Sequence, residues 1–225
     1  MSKSAAPSRP AVKAEFRPPQ QARSRAALRR LLTSAEYVLI NDGPDELTIA
    51  RVAEHAGVSV GGVYRRFAGK EQLIDAVKQA LAERLERSVA TALDNAGPSL
   101  EGVVDALATA LSDTLEESAR LIPAILAGGR TAEPPAEGLR IFTGLRQRFV
   151  EAVAPYRDQI RHPEPDVALE MAFRNVIGSG AHRAAMSTWL PDGLTWRQWA
   201  REISNMTAGY LIMTAKHPLP QGLSC

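Results

Sequence analysis

Cysteine is nearly absent from this chain: Cys225, the final residue, stands alone. That excludes an internal disulfide framework and a cysteine-rich zinc site. It also suits a reducing compartment, so a cytoplasmic location is expected. Long apolar runs are missing as well. None approaches the ~20 residues that a membrane helix needs, so no membrane partner is expected. The N-terminal stretch is basic but lacks the apolar segment of a secretory signal. His55, His162, His182 and His217 are scattered, with no i, i+4 pair to grip a metal. No metal site and no cofactor are therefore expected. The G-x-S-x-G, P-loop and G-x-G-x-x-G patterns are absent too. Gly178-Ser179-Gly180 sits inside a helical pattern and reads as a place of close helix packing. No catalytic residue is assigned and no enzyme is expected. Strand alternation and internal repeats are also lacking, which leaves an all-α chain.

What is present is a large apolar content and an uneven charge. Apolar residues make up 45% of the chain, enough for a sizeable core. The net charge of +2 hides an asymmetry. Residues 1–70 carry roughly +6 and residues 71–225 roughly −4. A basic front joined to a slightly acidic remainder fits a nucleic-acid reader attached to something else.

In chain order, residues 1–20 hold Pro7, Pro10, Pro18 and Pro19 among small and basic residues. They read as a disordered basic arm, either inert or able to follow a phosphate backbone. A first helix follows, with Leu28, Leu31, Leu32, Ala35, Val38 and Leu39 as its stripe. Arg23, Arg25, Arg29 and Arg30 crowd its first turns, where cations oppose the helix dipole. Nearby phosphates would offset that cost, which favours backbone contacts for Arg23 and Arg25.

Thr48 to Lys70 organises the rest. Ile49, Val52, Ala53 and Ala56 form one apolar face, with Thr48 ahead as N-cap. Gly57 ends that helix in the left-handed conformation glycine takes cheaply. Ser59 caps a second helix with Val63 and Phe67 on its buried stripe. Helix, glycine turn, helix is either plain core packing or a helix-turn-helix, whose second helix enters a DNA major groove.

This stretch resembles the DNA-binding domain of the tetracycline-repressor (TetR) family of bacterial transcription regulators. The matching residues are Thr48, Ala56-Gly57-Val58-Ser59, Gly61, Tyr64, Phe67 and Lys70-Glu71, within a similarity running from about Arg23 to Ala80. The resemblance implies a three-helix DNA-binding domain and a C-terminal helical domain for ligand binding and dimerisation. The expected divisions are an arm (1–20), a DNA-binding domain (21–69), a helical domain (70–215) and a tail (216–225). Thr48, Ser59, Tyr64, Arg66 and Lys70 then match positions that hold the DNA backbone. Base reading falls to Val60, against a thymine methyl, and to Arg65, against a guanine. Gly61 lets the backbone approach the bases. Gly62, directly after it, departs from the pattern and adds helix cost of ~1 kcal/mol.

The same resemblance implies a homodimer on a palindromic operator, and a small-molecule effector. Gly178, Gly180, Ala181, Ala184 and Ala185 offer a small-residue dimer surface or, alternatively, an intrachain one. Leu107, Leu111, Leu115, Ile122, Ile125, Phe142, Phe149 and Met171 either line an effector cavity or form plain core. The expected function is that of a ligand-released repressor. The alternative is a helical small-molecule carrier or interaction module without operator binding.

Overall fold

The computed structural model describes residues 20–127, 136–186 and 189–213. Among them the chain is helical, with no strand. The expected basic arm, apart from Gln20, and the expected tail with His217 and Cys225 lie outside the described residues.

The helices are α1 (Gln20–Asn41), α2 (Ile49–Ala56), α3 (Val60–Tyr64), α4 (Lys70–Asp94), α5 (Leu100–Glu117), α6 (Leu121–Ala127), α7 (Ala136–Val153), α8 (Pro165–Met186) and α9 (Trp196–Ile212). A 3-10 helix over Ala154–Gln159 follows α7. Local chemistry sets the boundaries. Ser99 starts α5, its hydroxyl accepting from the Gly102 amide at 3.0 Å. Thr195 and Gln198 form a reciprocal capping box at the start of α9.

The apolar stripes pack into two cores. The first gathers Leu31, Ala35, Val38 and Leu39 of α1 with Val52, Ala53, Val63 and Phe67 from the helix-turn-helix. It is completed by Leu73, Ile74 and Val77 of α4 and by Leu121 and Ile125 of α6. The second core joins α5, α7, α8 and α9 to the far end of α4, through Val89 and Leu93. Phe173 lies fully buried within it, edge-on to Phe142 at 5.1 Å and stacked near Phe149 at 6.0 Å.

Two features fix α8 and α9 in place. At Gly180, an added Cβ would lie 2.8 Å from Leu111 Cδ2 and 3.0 Å from the Trp199 ring, so α8 approaches α5 and α9 closely here. In the last turn of α8, the Arg183 guanidinium lies over the Trp196 ring, 4.2 Å from its centroid. It also grips Asp192 through Nε at 2.7 Å and Nη2 at 3.0 Å. Those hydrogen bonds hold the Asp192 carboxyl down to about 2.

Phe173→Ala should destabilise the chain by ~3–5 kcal/mol, because the aromatic cluster cannot collapse into so large a void. Denaturant unfolding followed by circular dichroism measures this. A loss below ~1 kcal/mol would mean that the second core is not packed as described.

Candidate nucleic-acid interface

The turn between α2 and α3 is built by three caps. The Thr48 hydroxyl accepts from the Arg51 amide at 3.1 Å and opens α2. Gly57, at φ 65, closes it in the left-handed region. The Gly57 N–H donates to Glu54 O at 3.1 Å, and the Val58 N–H to Ala53 O at 3.0 Å. The Ser59 hydroxyl then accepts from the Gly62 amide at 3.1 Å and opens α3. Each of these caps is the residue the sequence pattern singles out.

α3 is only one and a half turns long, so it exposes a compact face. Val63 and Phe67 anchor it below. Val60 is 43% exposed and Tyr64 55% exposed. Gly61 is exposed, and a Cβ on it would meet nothing within 4 Å. Neither a positive φ nor a steric neighbour in the chain demands glycine there. Gly62 is different. A Cβ on it would sit 3.2 Å from the Ser59 hydroxyl, pressing on the cap. The contact is tight but does not demand glycine, since Arg51 and Gln198 carry side chains at the same position of the Thr48 and Thr195 caps.

The charged residues ring this face. Arg65, at the end of α3, folds back with Nη2 toward Gly62. Arg66 reaches across to α1, where Nη2 donates to the Ser24 hydroxyl at 3.1 Å. That partner is neutral, and Arg66 forms no ion pair among the described residues. Arg23 and Arg25 are exposed on the first turns of α1. Lys70 is the first residue of α4, and its N-cap, Gly69, supplies no side-chain bond to the helix N–H groups. Exposed side chains and open N–H groups of this kind suit phosphate oxygens. The sequence gives no signal for Ser24, nor for Gln72, whose Oε1 accepts from the Ala68 amide at 2.7 Å and ties α3 to α4.

Outside the head, the sequence expectations divide. Leu107, Leu111, Leu115 and Phe149 are buried in the second core, and Phe142 packs at its edge, 5.3 Å beneath the Arg174 guanidinium. Ile122 packs against the same core. Ile125 does not: it turns the other way and belongs to the core of the head. Met171 lies apart from that core, 52% exposed on the outer side of α8. Among the small residues of α8, Gly178 and Ala181 are exposed and Ala185 is half-buried. Ala184 faces inward and is fully buried, as is the flank at Gly180, so neither adds to an outer surface. The actual outer stripe of α8 runs through Val167, Met171, Gly178 and Ala181. Beside it, a depression of about 310 Å³ lies among Met171, Asn175, Met206, Thr207 and Tyr210. Thr207 Oγ1 is buried there without a hydrogen-bond partner among the described residues.

Among the described residues, no group of His, Cys, Asp and Glu is placed to hold a metal ion. Nor is any described helix long and apolar enough to cross a membrane.

Comparison with known proteins agrees with this geometry. Residues 31–77 match the family model for bacterial regulatory proteins of the tetR family. No curated protein matches the chain. Solved structures do. The fatty acid degradation regulator FadR of Bacillus halodurans is 14% identical, with a TM-score of 0.65 over 81% of this chain and 94% of its own. FadR of Bacillus subtilis, solved in complex with stearoyl-CoA, is 12% identical, with a TM-score of 0.63 over 81% and 98%. A tetR-family transcriptional regulator of Streptomyces coelicolor is 19% identical, with a TM-score of 0.60 over 83% and 80%. At such identities the likeness speaks to the fold. The helix-turn-helix of residues 31–77 thus matches the tetR family model, and the fold that carries it is similar to that of solved tetR-family regulators.

Proposed function

We propose that the protein is a cytoplasmic transcriptional repressor, not an enzyme, that binds a palindromic operator as a homodimer and is released by a small-molecule effector. One observation carries this reading. The exposed face of α3, with Val60, Gly61 and Tyr64, has no partner among the described residues, yet every cap needed to present it is formed. Thr48, Ser59, Tyr64, Arg66 and Lys70, with Arg23 and Arg25, hold the phosphate backbone. Val60 and Arg65 face the bases, and Gly61 admits the close approach that its open surroundings permit.

The dimer forms on the outer faces of α8 and α9. Gly178 and Ala181 allow close approach, and Met206, 65% exposed, adds apolar area. The unpaired Thr207 hydroxyl supports the same assignment, since a buried polar group without a partner is costly.

The effector enters among Leu107, Leu111, Leu115, Phe142 and Phe149, a wholly apolar set. It is therefore an apolar molecule, and stearoyl-CoA, held by the Bacillus subtilis regulator, is a first probe. Displacement in that core reaches the head by two routes. α4 contributes to both cores, and α6 places Ile122 against one and Leu121 and Ile125 in the other. An effector acts by binding one of two such arrangements better than the other.

Titration of the DNA upstream of its own gene, read by fluorescence anisotropy, should give sequence-dependent, salt-sensitive binding. Lys70→Ala should weaken specific and non-specific sites alike and lower the salt slope by about one unit. Absence of any sequence-dependent binding would favour the carrier reading. Replacing the contacted thymine by uracil removes a single methyl. This should weaken binding at or below the low end of ~1–3 kcal/mol per altered pair. In Val60→Ala that thymine–uracil difference should vanish with the salt slope unchanged. A wild type indifferent to uracil throughout the operator would remove Val60 from base reading. In light scattering at micromolar concentration the protein should be a dimer, and Ala181→Glu should weaken dimer and operator binding together. A monomeric wild type would rule out the assigned interface.

A further inference from the structure

The head carries a second basic surface, on the flank where α1 lies against α2. Here an open groove of about 660 Å³ is lined by Arg23, Arg29, Arg30, Thr33 and His55, among others. No aspartate or glutamate contributes to its walls. Glu54, next to His55, lines the adjoining depression with Tyr37, Asp42 and Arg51 and not the groove itself, and two further acids are engaged elsewhere. Glu36, the one acidic residue of α1, pairs with Arg84 of α4 at 2.9 Å, and Asp42 pairs with Arg51 at 2.9 Å. Arg29 and Arg30 are exposed, and neither enters an ion pair among the described residues.

Both lips of the groove are tied to the reading face. On one side, Ser24, next to Arg23, receives the Arg66 hydrogen bond at 3.1 Å. On the other, His55 and Ala56 run directly into the Gly57 turn and the Ser59 cap. His55 is held there by Ser34, Nδ1 to Oγ at 3.1 Å, and by stacking on Tyr37 at 4.2 Å. The groove is thus rigidly registered to α3. From Arg23 to Arg30 the helix rises roughly 10 Å, which is about three nucleotide steps along one DNA strand.

Building on the operator-binding reading, we propose that this α1–α2 groove is a second DNA-backbone track. It holds phosphates of the duplex flanking the bases read by α3, with Arg29 and Arg30 as its principal cations. Such contacts add affinity and fix the path of the duplex but carry no sequence information.

The test compares two operator duplexes, one trimmed to the read bases and one extended by unrelated flanks, in salt titrations with the full-length protein. Wild type should show a steeper slope on the extended duplex, by about two units per bound head, which is roughly tenfold in affinity between 50 and 200 mM salt. Arg29→Gln with Arg30→Gln should give the same slope on both duplexes and leave the uracil pattern unchanged. Arg29→Lys with Arg30→Lys should restore most of the difference, because charge suffices for phosphate. Matching circular dichroism melts confirm that the variants fold. A wild-type slope that ignores the flanks overturns the track while leaving operator binding intact. A Gln variant that loses slope equally on the trimmed duplex overturns it too, moving both arginines into the read site. Absence of sequence-dependent binding by wild type fails the operator reading first, and the track with it.

Discussion

The structure depends on the head borrowing its core. α1, α2 and α3 cannot bury their apolar faces against one another alone, because α2 has eight residues and α3 five. Helices so short are not stable without tertiary packing. α4 supplies Leu73, Ile74 and Val77, and α6 supplies Leu121 and Ile125, to close the cluster around Val63 and Phe67. The exposed face of α3 is therefore supported from beneath by helices that also belong to the other half of the molecule. A boundary drawn between Gly69 and Lys70 separates the chain by sequence but cuts through this core.

On that support, α3 is specified almost wholly by its ends. Its interior holds Gly61 and Gly62, each of which weakens a helix by ~1 kcal/mol relative to alanine. The Ser59 cap and the burial of Val63 and Phe67 offset this. The result trades intrinsic stability for a smooth, low backbone at Gly61, with Val60 and Tyr64 standing on either side of it.

The features legible in the sequence were the local ones. Caps at Thr48 and Ser59 and the glycine turn at Gly57 depend on neighbours within a few residues, so the pattern alone sufficed. The order of helices followed from apolar spacing in the same way. What sequence spacing left open was which face of a two-sided helix looks inward. α8 is apolar or small nearly all round, and its orientation is decided by Gly180 meeting Leu111 and Trp199. That contact turns Ala184 in and Met171 out. Ile125 went astray for a related reason. α6 has apolar residues on two sides, and only the fold assigns Ile122 to one core and Ile125 to the other. Ser24, remote in sequence from Arg66, left no trace in any pattern.

The same double membership determines how the two halves can influence each other. α4 runs unbroken from Leu73 in the head core to Leu93 in the second, a rise of roughly 30 Å. The Arg84–Glu36 pair fastens its middle to α1. A tilt of about 5° about one end of such a span carries the other end through roughly 2–3 Å, comparable to the shifts that switch packed interfaces. α6 has no such reach, since it is only a few residues long, but it is wedged between α1 and α8 and contributes to both cores. Whatever separates α5, α7 and α8 must therefore either move α6 or empty Leu121 and Ile125 from the head. Loss of a buried leucine costs ~2–5 kcal/mol, so moving the helix as a body is the cheaper course. On this account the core shared with the head, and not the linker sequence, makes the reading face responsive to events some helices away.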